Sequence, residues 1–537
     1  MKIIRFLSLV CLVTIISVFS GFVASYRAMG VFDSRYLPPP IKLENFKEPP
    51  QIPLSNNAFA FADIAWRTFV TLNWPANDAR PLEELALGQA PLAPRVWEFY
   101  RTPEEVFLAN GENPLLNISN PFARTLKLDL IKGQGAGSPE NNVELRKNLQ
   151  NSRAWIEKVI KSKECPAKIE VSDEEKNLLL NNIPIVDRQG NYIIVESHLN
   201  PNEFKQIVDN EWYNASKLAE YNEKKNFQFK STNSSIDAPI EVKAAWRVFD
   251  ESSSPEEKAR YYTTKRVLAI SAEQYVCTTD NCRTDDPVLE EVEVGLIGFH
   301  IAYKIPKQQS STPGWVWATF EQVDNLKVDN GPLGLKPTLS NPDCDPNDPN
   351  KGSCLPNYPY VEWPFLWRDR SPHAVTLTQD GKIKPQIPTQ AVRLSEQRNC
   401  RSNQLSDSVK KSLQQQNENW QKKFQNVARN SVWQYYQLVG TQWVQNPPTV
   451  SQLTSLTSDR LISNSRTGTT PGPLFNVAME AYSQTQVNGD SCIGCHVTAT
   501  LPSSSGTSEK AMSDFSFLLQ RAKSSRNNVS SDGKPNS

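Results

Sequence analysis

Apolar residues along this chain follow two periods. Phe61, Ile64, Ala65, Thr68, Phe69 and Leu72 recur at three- and four-residue intervals and predict one buried helix within Phe59 to Trp74, stopped by Pro75. Helical spacing returns from Ser408 to Trp443, where Val409, Leu413, Trp420, Phe424 and Val427 line one face. It continues through Leu474, Ala478, Ala481 and Tyr482, and a short amphipathic helix is predicted over Met512 to Ala522 with Phe515, Leu518 and Leu519 on its apolar side. Between about 183 and 400 the pattern is that of strands: Tyr192 to Val195, Glu241 to Phe249, Arg266 to Val276, Val292 to Ile305, Trp315 to Val323 and Ala374 to Leu377. Together these elements predict an α+β fold, with a central, mainly antiparallel strand region, flanking helices and a helical C-terminal segment.

The two ends of the chain read differently. Lys2 and Arg5 precede an uncharged apolar run from Phe6 to Ala24, the layout of a secretory signal or a signal anchor. Its length, about 19 residues, is close to the roughly 20 that span a bilayer, and Val23-Ala24-Ser25 offers a cleavage site. Residues 1–25 are therefore read as a signal peptide or membrane anchor, and the protein as exported, to the periplasm or an equivalent lumen. Residues 26–56, with Pro38-Pro39-Pro40 and Pro49-Pro50, read as an extended tether. Residues 57–400 form the α+β body, 401–523 a helical region, and 524–537 a tail without apolar pattern, expected to be disordered.

Charge narrows the partners. The 58 basic residues are matched by 58 acidic ones, with no basic block, so no nucleic-acid partner is expected. The composition is ordinary except for nine Cys and only four His, and these scarce types limit the metal and redox chemistry available.

One motif uses them. Cys492-Ile493-Gly494-Cys495-His496 is a C-x-x-C-H sequence, the attachment signal for a c-type haem. Two thiols three positions apart on one helical turn each form a thioether with a haem vinyl group, while the adjacent His supplies the proximal iron ligand. Gly494 leaves room for the porphyrin edge. Composition allows only about one chance match per thousand chains of this make-up. A zinc site wants four ligands, and no second C-x-x-C or H-x-x-x-H completes a set. A thioredoxin-like pair lacks its strand-then-helix context. The expected cofactor is one covalent haem c on Cys492 and Cys495 with His496 as proximal ligand; only 41 residues follow His496, so the body must cover the haem.

The second axial position has two candidates. Met512 lies 16 residues beyond His496, a span of up to about 50 Å when extended. His300 ends the strand-like run from Val292 and reaches the haem if the sheet backs onto the C-terminal region. Met479 reads as a packing residue, and His198 and His373 lie in polar, turn-like contexts. With Cys11 inside the apolar leader, six Cys remain, and short spacings favour Cys277 with Cys282 and Cys344 with Cys354, leaving Cys165 for Cys400. The polar loop from Asp343 to Gly352 is a stapled turn or, alternatively, a Ca²⁺ loop.

Several segments resemble the large single-haem proteins of the bacterial cytochrome c family. They are Trp66 to Pro75, Phe299 to Lys304, Trp315 to Glu321, Ser491 to His496 and Asp514 to Leu518. The resemblance implies a haem-binding, periplasmic-type protein and carries Cys492, Cys495 and His496 over as its haem residues; it implies no particular reaction. Two functions follow from the residues. One is electron transfer to a redox partner protein or a membrane electron-transfer component, with His300 or Met512 as distal ligand. The other is a haem enzyme of peroxidase or oxygenase type with an open distal face, using an acid or base such as His300, Glu321 or an Arg. A ligand-binding or sensor protein with a structural haem is a third.

Overall fold

The computed structural model describes residues 54–77, 82, 93–116, 124–127, 185–224, 227–231, 238–270, 275–277, 288–304, 314–332, 334–344, 354–358, 375–377, 385–393, 407–427, 430–443, 474–485, 492–496, 499–502 and 511–524. All belong to one unit, Pro40–Ser537. The signal run, most of the tether, the Cys165–Cys400 and Cys277–Cys282 pairings, His373 and the tail beyond Ser524 lie outside them.

The protein is α+β, built on a mixed seven-stranded sheet. Its long central strand is β6 (Val288–Lys304). Along one edge β6 pairs antiparallel with β3 (Ile240–Phe249), which pairs in turn with β2 (Ile194–Leu199). The other edge is divided. Its first half pairs with β4 (Thr263–Ile270), and its second half with β7 (Trp315–Gln322). A short parallel strand, β1 (Thr125–Lys127), extends β4, and β9 (Tyr436–Trp443) extends β7. A separate two-stranded sheet joins β5 (Tyr275–Cys277) to β8 (Val375–Leu377).

The two faces of the sheet differ because neighbouring residues on a strand point to opposite sides. Phe299 and Ile301 of β6, with Phe320 and Ala318 of β7, face the helical layer. There α1 (Leu54–Leu72) brings Trp66 and Phe69, and α4 (Asp407–Val427) brings Trp420 and Phe424. Phe69 stacks on Phe320 at 4.4 Å and meets Phe299 edge-on at 5.7 Å; Trp66 stacks on Trp420 at 5.9 Å. This aromatic layer is one buried core of the protein. Beside the sheet, α2 (Pro201–Asp209) starts where Asn200 accepts the Glu203 amide and Pro201 fills the first helical position. The helix α3 (Ala215–Lys224) follows it.

The strands around β3, β6 and β7 fall where the alternation places them. The helix expected to run from Ser408 to Trp443 does not: it ends at Val427, and Tyr436–Trp443 is the edge strand β9. Tyr436, Leu438 and Gly440 are buried at alternating positions there, and pairing with β7 satisfies a sheet edge that a helix would leave open. Leu474 to Glu480 is a chain of turns rather than a helix, followed by the 3₁₀ turn Ala481–Thr485, because Asn476 and Glu480 spend their hydrogen bonds tying this segment to β7 and to itself. The helix expected over Met512 to Ala522 is confined to a 3₁₀ turn at Leu518–Arg521. Asp514 and Phe515 adopt positive φ, which no right-handed helix accommodates. The Cys344–Cys354 disulfide is formed as its spacing predicts. Among the described residues no helix is long and apolar enough to cross a membrane.

Candidate haem site

The register across the sheet builds the floor of the site. Glu241, Ala302, Trp317 and Gln442 lie opposite one another across β3, β6, β7 and β9, and the adjacent row is Lys243, His300, Thr319 and Gly440. These rows share the face turned away from the aromatic helical layer.

The C-x-x-C-H segment sits on that floor as one helical turn, α5 (Cys492–His496). Ile493 is fully buried, and its amide points to Gln442 Oε1 at 3.5 Å. Beyond this helical turn, residues 499–501 pair antiparallel with 511–513. Ala499 bonds back to the His496 carbonyl, Thr500 bridges to Met512, and the strap from Ala511 to Phe517 returns across the motif. His496 Nδ1 lies 2.7 Å from the Phe515 carbonyl, which fixes the proton on Nδ1 and leaves Nε2 with its lone pair for a metal. The imidazole is held between Trp317 at 5.4 Å and Phe517 at 5.2 Å. Burial, reinforced by the nearby Lys243 and His300, lowers its pKa to about 4, so it is neutral at pH 7 and competent as a ligand.

Neither motif cysteine is in a disulfide; Cys492 is buried and Cys495 exposed. Burial pushes the Cys492 thiol upward, and Glu480 adds to the upward shift at both. A reactive dithiol has a depressed pKa, so these surroundings do not match a thiol-disulfide redox pair. Cys492 Sγ instead approaches the Leu474 carbonyl at 3.7 Å, which anchors the turn to the 474–480 segment.

That segment also carries the partner of His300. Asn476 donates to Thr319 Oγ1 and to the Phe320 carbonyl, both at 2.9 Å, and this pins the turns over β7. Gly298 permits the close approach, since a Cβ there would lie 2.8 Å from Asn476 Oδ1. Glu480 Oε1 is thereby placed 3.1 Å from His300 Nε2. Burial alone would raise the Glu480 carboxyl, but His300 and then Lys243 bring it down to about 2. His300, Lys243 and Glu480 each act electrostatically on His496, so they share its surroundings.

The other sequence candidates fall elsewhere. Met512 is on the strap that supplies the Phe515 carbonyl, and its half-buried side chain packs against the cluster holding Cys492, Ile493 and Phe515. Met479 packs against Ala478 and Val477, as a core residue. Glu321 is buried, with Arg393 at 2.6 Å and the Val477 amide at 2.8 Å, and serves to hold the 474–480 segment. His198 is buried against Trp97, with Nδ1 3.0 Å from the Tyr100 carbonyl and Nε2 3.1 Å from Glu196, in a network of structural character.

Sequence reading missed Glu480, Lys243 and the Phe515 carbonyl, and named Trp317 only within the Trp315 to Glu321 segment of the family resemblance. Only strand register could have found Lys243, which lies directly opposite His300. Among the described residues no group of three or more His, Cys, Asp or Glu side chains is arranged to hold a metal ion. A haem asks less of the chain: two thiols, one neutral imidazole with Nε2 available, and a cover. The motif meets these demands. Trp317, 3% exposed, also carries an Nε1–H with no acceptor among the described residues, the kind of orphaned donor that a bound carboxylate-bearing group would satisfy. The residues therefore fit a covalently attached haem. In comparisons with protein-family models, curated proteins and solved structures, nothing matches the chain.

Proposed function

We propose that this chain is an exported c-type cytochrome of the large single-haem kind, with one haem joined to Cys492 and Cys495 and His496 as proximal ligand. It would exchange single electrons with a redox partner protein or a membrane electron-transfer component. The observation that carries this reading is the His496 imidazole, kept neutral by burial and locked through Nδ1 to the Phe515 carbonyl, one residue from a thiol pair. When bound, the haem supplies one-electron chemistry at its iron. The protein's own part is to orient His496, cover the motif with the 511–517 strap, and surround it with Trp317, Phe515 and Phe517, which keep water away. Met512 lies on the strap bonded to His496, and His300 lies on the floor, held by Glu480; His300 would be the group to supply a second ligand to the iron. The apolar leader at Phe6 to Ala24 supports export, with either cleavage or anchoring.

The His300–Glu480 pair favours a second reading, a haem enzyme of peroxidase or oxygenase type. A carboxylate-held imidazole is an arrangement suited to moving a proton at Nε2 or Nδ1. One preparation tests both. Haem that stays with the denatured protein, and is lost in Cys492→Ser with Cys495→Ser, is the expected result; retention in that double variant would overturn the cytochrome reading. A low-spin ferric spectrum that His300→Ala converts to high spin supports the carrier, whereas a high-spin wild type that reacts with peroxide supports the enzyme.

A further inference from the structure

The rings beside His496 continue away from the motif as a series. Trp317, 5.4 Å from the imidazole, shares its face of β7 with Trp315, two positions earlier, and the two indoles lie 6.5 Å apart. Trp315 meets Phe229 edge-on at 6.2 Å, Phe229 meets Trp212 at 5.4 Å, and Trp212 meets Tyr221 at 5.8 Å. Trp317, Trp315, Phe229 and Trp212 are buried, whereas Tyr221, on α3, is half-buried. The indole Nε1–H groups of Trp315 and Trp212 are buried with no acceptor among the described residues. For packing alone phenylalanine would serve, without the cost of about 1–3 kcal/mol that each unpaired donor carries. What indole adds to a ring contact is that it can be oxidised.

We propose that Trp317, Trp315 and Trp212, bridged by Phe229, carry oxidising equivalents from the haem site to Tyr221, where they leave the core. This route rests on covalent haem at His496 and not on the choice between carrier and enzyme. The ordinary one-electron exchange of a carrier does not oxidise an indole, so the route acts only when a strong oxidant, hydrogen peroxide, reaches the haem. It begins at the proximal ligand itself, since Trp317 is in ring contact with His496.

Proton chemistry gives the route its direction. An oxidised indole is trapped when it passes its N–H proton to an acceptor, and Trp315 and Trp212 have none among the described residues, so the positive hole moves on. A positive charge in a buried site is also unfavourable, and the Lys304 ammonium, 5.6 Å over the Trp315 ring, opposes it there; Asp514, ion-paired to Lys304, offsets that charge. At half-buried Tyr221 the phenol can give its proton to water, and the hole ends as a neutral tyrosyl radical. Electrons balance. Peroxide breaks its O–O bond, taking two electrons from the haem group and two protons from water to give two water molecules. Tyr221 breaks its O–H bond, returns one of those electrons through the indoles and releases one proton, and the other oxidising equivalent stays at the haem.

The test mixes the haem-bearing protein with hydrogen peroxide and freezes it rapidly for electron paramagnetic resonance. The expected signal is a tyrosyl radical. Tyr221→Phe should replace it with an indole radical, and Trp315→Phe, which keeps a ring but not an oxidisable one, should lose most of it and bleach its haem faster. An undiminished tyrosyl signal in either variant, or no protein radical in the wild type, would overturn the route. Peptide mapping of the wild type after treatment with peroxide and a nitroso spin trap needs no variant to fold: an adduct on Tyr221 is expected, and adducts confined to other residues also overturn it. Covalent haem, checked by absorbance of the denatured protein, separates the two claims. Its absence removes the cytochrome reading and this inference together, whereas attached haem with no radical at Tyr221 removes the inference alone.

Discussion

His496 Nδ1 lies 2.7 Å from the Phe515 carbonyl, and the two residues that aim this carbonyl, Asp514 and Phe515, are both left-handed, at φ 53° and 68°. Each such non-glycine residue costs about 1–3 kcal/mol, so the strap must be held by contacts elsewhere. The Phe515 ring packs on Trp317 at 5.7 Å, and Asp514 is anchored by Lys304 and the Phe229 amide.

Asp514→Ala should release that anchor. It removes the ion-pair partner of the buried Lys304 ammonium, a loss of up to about 3–5 kcal/mol. Urea unfolding measures it, and Lys304→Met combined with Asp514→Leu should recover most of the loss, because an apolar pair removes the stranded charge. A cost below about 1 kcal/mol for Asp514→Ala would show that the strap is held by other contacts.

Gly298→Ala should disturb the site without touching a titratable group. The new methyl meets Asn476 Oδ1 at 2.8 Å and Ala478 Cβ at 3.1 Å, and the Asn476 amide is pinned by two bonds to β7. Overpacking of this kind costs about 1–3 kcal/mol. The 474–480 segment must lift, which draws Glu480 away from His300. The expected outcome is a lower urea midpoint together with a Glu480 carboxyl that titrates closer to its ordinary range, followed by NMR of labelled Glu.

How much of this was visible beforehand depends on where the information lies along the chain. The C-x-x-C-H motif was legible because its three side chains are contiguous and their chemistry is local. Strands β3, β6 and β7 were legible because apolar and β-branched residues dominate them. Tyr436 to Trp443 was misread as helix because Trp420, Phe424 and Val427 set a helical spacing just before it, and only the open edge of β7 shows what that segment pairs with. Glu480 and Lys243 were invisible for a related reason: nothing in the sequence states that residue 243 lies opposite 300, or that turns at 474–480 cover Thr319. The Phe515 carbonyl has no side-chain signature at all.

Acid stability should report on a second buried network, remote from the motif. Glu196 accepts the Trp246 indole at 2.7 Å and lies 3.1 Å from His198 Nε2. Burial acts to raise its carboxyl, but His198, Arg266 and Trp246 overcome this and bring it down to about 2. A folded pKa below the unfolded value adds stability that is present above the ordinary carboxylate range and is lost as pH falls through about 2. The shift corresponds to about 3 kcal/mol at neutral pH. Glu196→Gln should lose about that much at pH 7, with the difference closing toward zero in strong acid. A difference independent of pH, measured by urea midpoints across this range, would rule the coupling out.

Trp317 separates packing from cofactor recognition. Its ring touches His496 and Phe515, while its buried Nε1–H has no acceptor among the described residues. An orphaned donor costs about 1–3 kcal/mol, so in protein without haem, made with Cys492→Ser and Cys495→Ser, Trp317→Phe should be neutral or mildly stabilising. Trp317→Ala should cost about 3–5 kcal/mol in either form, because it opens a cavity under the imidazole. A haem carboxylate held at Nε1 would form a bond worth about 1.5–3 kcal/mol that phenylalanine cannot make, so the sign of Trp317→Phe should reverse in the haem-bearing protein. Paired unfolding curves of the haem-bearing and haem-free proteins measure this reversal. The same small effect in both would mean that Trp317 serves only as the floor beneath His496.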